Sequence, residues 1–285
     1  MKILKKSFAG RVWWLQGALF AFLLAGLVVQ SEAQIYTLSA RDTSVQINLA
    51  GGISDWTIDG VNQLNRQWFY YSVGSGLVYS IDTIALWSVP STTPGNSPTL
   101  TETYANSTIS VQTKYTLQSS PSGSGMAKLL DTITVKNTSS STSVYHFFQF
   151  SDFDLGGVSG NQNVQFNSDG AGTAYQVVQT GLTGATLVGT VTALSGGSSV
   201  PPEEQAGYYG TQFGLVNGNP APTLNNTLTA GPGNVVYAYE WDMTLSPNGV
   251  ISISEIQYVP EPSSVALISS GMLVLALLRR RHRKA

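Results

Sequence analysis

Three places in this sequence carry side chains of a type and spacing that chemistry could use. Asp152 and Asp154 are two apart, so on a strand they share a face. Gly156, Gly157 and Gly160 follow as a flexible turn, and Asn161, Asn163 and Asp169 add oxygen donors. Calcium takes about six to eight oxygens, and a glycine-rich loop can wrap it. The EF-hand spacing fails, because Gly156 stands where an oxygen ligand belongs. The expectation is therefore a strand end with solvated carboxylates; calcium at Asp152, Asp154, Asn161 and Asp169 is the only cofactor in view. Glu240 and Asp242 form a second pair on one strand face. Paired carboxylates hydrolyse glycosides at separations of about 5–5.5 or 6.5–9.5 Å, and side chains two apart on a strand stand roughly 7 Å apart. A solvent-facing polar strand accounts for both residues equally well. His146 is the third place. Serine catalysis would require a serine nucleophile and an orienting carboxylate beside it, yet no Gly-x-Ser-x-Gly elbow occurs. A histidine packed in a sheet and satisfied by hydrogen bonds is expected instead.

These residues must be positioned by strands. Thr, Ser, Val and Tyr are plentiful, which favours β structure. Ile109, Val111, Thr113, Tyr115 and Leu117 alternate with polar residues, the pattern of a half-buried antiparallel strand. Val235, Tyr237, Tyr239, Trp241, Met243 and Leu245 do the same, opposite Val236, Ala238, Glu240, Asp242 and Thr244. Ser246-Pro247-Asn248-Gly249 then predicts a hairpin turn into a strand over Val250–Ser254. Further strands are expected at 43–49, 67–73, 78–84, 129–135, 144–153, 175–179, 186–194 and 208–213, with long surface loops at 90–98 and 216–232. The aromatic run Trp68-Phe69-Tyr70-Tyr71 could stack on sugars. Neighbouring strand residues point to opposite faces, so a strand buried on both sides is the stronger expectation. Many short strands, Gly/Ser-rich turns and no helical periodicity predict an all-β antiparallel sandwich.

Charge divides the 285-residue chain into three. Only 11% of residues are charged. Nine of the 14 cations lie within the first 11 and last 7 positions, and residues 34–259 hold 5 basic and 14 acidic side chains, a net charge of about −9. That balance argues against nucleic-acid binding. Cysteine is absent, so disulfides and thiolate chemistry are excluded. Residues 1–33 read as a signal peptide. A basic stretch to Arg11 precedes an apolar run, and Ser31-Glu32-Ala33 matches a small-x-small cleavage site that makes Gln34 the mature N-terminus. At the other end, Val259-Pro260-Glu261-Pro262 precedes an apolar stretch from Ser263 to Leu278, then Arg279-Arg280-Arg281. A transmembrane helix ending in a stop-transfer cluster is expected over this stretch.

The order of motif, apolar helix and arginines over residues 259–285 resembles the PEP-CTERM sorting tail of Gram-negative bacteria. The resemblance implies export across the inner membrane, a membrane-anchored precursor, and cutting near Pro260–Pro262 by an exosortase-type enzyme. It also implies a cell-envelope or extracellular destination, often with exopolysaccharide. The segments Trp56–Leu64 with Gln67–Tyr71, and His146–Gly156, are similar to uncharacterised members of the same group. With residues 34–258 as the exported β-rich domain, the expected function is that of a non-enzymatic surface or matrix protein. The alternative is a carbohydrate-binding module or adhesin, with calcium as its cofactor if it has one. A glycan-active enzyme using a carboxylate pair stands third.

Overall fold

The computed structural model describes residues 34–168, 175–182, 184–194 and 203–260. The expected signal segment through Ala33 and the expected transmembrane helix over 263–278, together with Glu261, Pro262 and Arg279–Arg281, lie outside the described residues. Among the described residues no helix is long and apolar enough to cross a membrane.

The chain from Ile35 folds into an antiparallel β-sandwich of two nine-stranded sheets. In chain order the first sheet takes β1 (Ile35–Ala40), β2 (Thr43–Asn48), β3 (Gly52–Ile58), β4 (Val61–Asn62), β5 (Leu64–Val73) and β6 (Tyr79–Ser80). The second takes β7 (Leu86–Thr93), β8 (Thr99–Ala105), β9 (Ile109–Ser119) and β10 (Ala127–Asn137). The chain returns to the first sheet with β11 (Ser143–Phe153). It then builds β12 (Gln162–Ser168), β13 (Tyr175–Thr180) and β14 (Thr186–Leu194) in the second. β15 (Glu203–Tyr208) is an edge of the first sheet and β16 (Thr229–Gly233) an edge of the second; β17 (Val235–Leu245) and β18 (Val250–Val259) are interior strands. The first sheet runs β1-β2-β3-β5-β11-β17-β15, and the second β16-β12-β13-β14-β18-β10-β9-β8-β7.

Alternation explains the core. Ile109, Val111, Tyr115 and Leu117 of β9 are buried while Gln112, Lys114 and Gln118 are not. Across the first sheet, Phe69, Phe147, Trp241 and Tyr239 form a continuous aromatic band, with ring centroids 5.6–6.2 Å apart. Phe166 of β12 meets Tyr237 and Tyr239 edge-on from the opposing sheet. The predicted hairpin forms as expected: Asn248 takes φ 59°, and Gly249 donates its amide to the Ser246 carbonyl (2.7 Å).

Three expectations are corrected. Segment 78–84 is no strand beyond the two-residue β6; it closes into a 3-10 turn at Ile81–Thr83. The strand expected at 208–213 lies earlier, ending at Tyr208, because left-handed Gly210 (φ 90°) and Phe213 (φ 49°) turn the chain. The loop expected from Pro90 begins as strand β7, at the edge of the second sheet, where a proline deprives no inner partner of a hydrogen bond.

The outer face of the first sheet is not bare. Residues 209–228 fold back over it, burying Phe213, Leu215 and Leu224, with Phe213 against Phe150 at 6.2 Å. This cover is tied to the segment before β6 through Val78 N–H to the Asn219 carbonyl (2.8 Å) and Ser80 N–H to Asn217 Oδ1 (2.6 Å).

Candidate functional site

Strands β11 and β17 are neighbours, and their register sets His146 opposite Asp242 and Phe148 opposite Glu240. Residues two apart share a face, so His146, Glu240 and Asp242 converge on the outer face of the first sheet, beside the covering loop. His146 Nδ1 lies 2.5 Å from Asp242 Oδ1 and 3.6 Å from Glu240 Oε1. Glu240 Oε2 accepts the Leu224 backbone N–H at 2.8 Å. The three side chains differ in hydration: Asp242 is 50% exposed, His146 24% and Glu240 1%.

That gradient assigns protons. Burial pushes the Glu240 carboxyl up to about 7, and the charges of Asp242 and Glu203 push the same way. The Leu224 amide and His146 pull it down, and burial prevails. Near neutrality the Glu240 carboxyl is therefore protonated in a substantial share of molecules. The contact with Asp242 makes Nδ1–H the donor of His146 and leaves Nε2 as a proton acceptor. Ser72, the register partner of His146 on β5, donates its hydroxyl to the Gly76 carbonyl (3.1 Å).

The His, Glu and Asp atoms lie within 4.8 Å of one another, close enough to suggest a metal centre. The 2.5 Å His146–Asp242 contact is a hydrogen bond instead. Two ligands of one tetrahedral ion, each about 2.0–2.2 Å from it, stand roughly 3.4 Å apart. As arranged, these two atoms hold a proton between them.

The calcium segment fares differently. Asp152 Oδ2 accepts the Asn65 amide at 2.7 Å, and burial raises its carboxyl to about 6. Asp154, raised by burial too, precedes a 3-10 turn at Leu155–Gly157. The two carboxylates expected to be solvated are thus partly or wholly buried, because β11 runs inside the sheet. Asn161 is exposed in a left-handed turn (φ 55°), and Asp169 lies outside the described residues. The aromatic platform is also absent: Trp68, Tyr70 and Trp241 are all buried.

A bacterial glucoamylase complexed with acarbose shares this sandwich. The TM-score is 0.51 at 10% identity, over 87% of this chain and 36% of that one. The chain thus spans about a third of the glucoamylase's length. A galactose mutarotase related enzyme from Lactobacillus acidophilus aligns at TM-score 0.47 and 10% identity, covering 81% of this chain and 99% of its own. A galactose mutarotase-like protein from Lactobacillus casei aligns at 0.45 and 9%, covering 79% and 100%. No family model matches the chain. No curated protein matches it either.

The expectation of a non-enzymatic surface protein, with a binding module or adhesin as its alternative, is corrected here. The fold is one that a glucoamylase contains over about a third of its length. Two carboxylates converge here on a histidine, whereas the third expectation named a carboxylate pair alone. Sequence reasoning saw Glu240 and Asp242 as a pair and set His146 apart, because the pairing of β11 with β17 closes a separation of 96 residues. Glu240 is dry because residues 209–228 cover it, so the solvent-facing alternation expected of β17 holds only at Asp242 and Thr244. Nothing in the local sequence announces the Leu224 amide, a main-chain donor.

Proposed function

We propose that this chain is a carbohydrate-processing enzyme that transfers protons at the anomeric centre of a sugar. Glu240 acts as the acid, and His146, held by Asp242, as the base. The observation that carries the reading is the meeting of a buried, protonated carboxyl with an imidazole oriented by a second carboxylate. The fold-level likeness to a glucoamylase supports a sugar as the substrate. In the step, with the sugar displacing residues 209–228 from Glu240, His146 Nε2 takes the proton of the C1 hydroxyl while Glu240 gives its proton to the ring oxygen. The bond from C1 to the ring oxygen breaks, and the open-chain aldehyde results. Reversal after rotation about the C1–C2 bond gives the other anomer, with no redox change. Asp242 is committed to Nδ1, which favours proton transfer over attack by this carboxylate. The sequence features of both ends support export as part of the same proposal, with sorting through Val259–Pro262 by an exosortase-type enzyme.

The test is polarimetry or exchange NMR on freshly dissolved aldoses. Anomer interconversion should exceed the buffer rate, and His146→Ala should lose roughly 100-fold or more. Rates equal to buffer across hexoses and pentoses would overturn the reading.

A further inference from the structure

The two sheets are joined in the middle of the core by a polar seam that the proposed chemistry does not use. Asp131 of β10 and Glu255 of β18 are register partners with inward side chains, both buried. Side chains so paired have Cβ atoms about 4.5–5.5 Å apart. The opposing sheet meets them with amides. Gln67 Nε2 donates to Asp131 Oδ2 (2.6 Å), and Gln149 Nε2 donates to Glu255 Oε2 (2.5 Å). Gln257 Nε2 in turn donates to Gln67 Oε1 (2.5 Å).

Four carbonyl and carboxyl oxygens of this seam remain without a partner, Asp131 Oδ1, Glu255 Oε1, Gln149 Oε1 and Gln257 Oε1, as do the hydroxyls of Tyr237 and Tyr239. All four are acceptors if the acids are ionised. Around them β9 supplies Tyr115, β8 supplies Glu102, and β17 supplies Tyr237 and Tyr239. From β14 come only Gly189 and Val191, and from β11 also Ser151. No lysine, arginine or histidine is buried among the described residues. Two facing carboxylates in a dry core without a cation cannot both stay ionised. Protonation also repairs the hydrogen bonding, since each proton turns one orphaned acceptor into a donor for another.

We propose that Asp131 and Glu255 form an interior acid pair that holds the sheets together in its protonated state, so that the sandwich is held most firmly in acid and loosens as the pH rises through neutrality. Burial, followed by the neighbouring Glu255 charge, holds the Asp131 carboxyl well above its ordinary range, and burial lifts Glu255 to about 7. Both folded values exceed the unfolded ones near 4. The stabilisation is therefore complete below about pH 4 and is lost as pH rises through the folded values.

The experiment is thermal unfolding of the full chain between pH 5 and pH 8. Tm should fall by roughly 5–10 °C, and Asp131→Asn/Glu255→Gln, whose amides cannot ionise, should make that fall clearly shallower, the remainder coming from Glu102, Asp152 and Glu240, which burial also raises. A variant slope equal to the parent's would overturn the proposal. So would a Tm at pH 8 that calcium raises and EDTA lowers, since a cation would then occupy the seam. If the double variant does not fold, the infrared spectrum of the unaltered chain at pH 6 decides. It should contain the C=O stretch of a protonated carboxyl, weaker in Glu255→Gln alone; carboxylate bands alone, or a band that Glu255→Gln leaves unchanged, would overturn the pair.

Discussion

Glu240 is the residue on which the proposed chemistry turns, and its environment fixes when it works. A group lifted to about 7 by burial is an acid below that pH and a carboxylate above it. The rate of sugar interconversion should therefore fall above about pH 7, and Glu240→Gln should lose both the alkaline limb and most of the rate. A profile flat from pH 6 to pH 9 would show that another group supplies the proton. The pairing of Glu240 with Asp242 was legible because strand periodicity alone puts them on one face. The role of His146 was not, since it depends on which strand lies beside β11. The buried acids Asp131 and Glu255 were equally silent. Each occupies a position in its alternating strand where an apolar residue would ordinarily stand, and only the cross-sheet glutamines explain why a carboxyl is there.

Strands with regular alternation and firm turn chemistry were the legible elements. β9, β17 and the turn after Leu245 follow from spacing. Another turn follows the same logic: Asp59 (φ 49°) and Gly60 (φ 80°) reverse the chain between Ile58 and Val61, with the left-handed pair a tight hairpin requires. The positions of β7 and β15 were obscured by Pro90 and by the turn after Tyr208, where local signals yield to pairing with distant strands. Two glycines separate conformation from packing. At Gly60 a Cβ meets nothing within 4 Å, so Gly60→Ala pays only for its left-handed backbone, about 1 kcal/mol. At Gly52, also left-handed (φ 87°), a Cβ would stand 2.1 Å from the Gln67 carbonyl oxygen and 2.3 Å from the Trp68 ring. Gly52→Ala should cost several-fold more, about 3 kcal/mol or above, because β3 must part from β5. Urea unfolding of the two variants measures the difference, and equal losses would mean that the β3–β5 approach is loose.

For the whole molecule, the acidic body and the basic ends bear on the proposed route of export. In the native host the isolated protein should lack roughly 25 C-terminal residues by intact mass, and replacing Pro260, Glu261 and Pro262 by alanine should preserve the full length. Normal trimming of that variant would dismiss the motif. The proposed sorting motif starts on the sandwich itself, since Val259 is buried and pairs with Ala127 as the last residue of β18. β18 lies between β14 and β10, in the interior of the second sheet. Ribosomes make this strand after every other described one, so a nascent chain has its second sheet split into two halves with raw edges until residues 250–259 emerge. Closure of the second sheet has to wait for residues 250–259, a delay that would suit a chain threaded through a translocon under the proposed route.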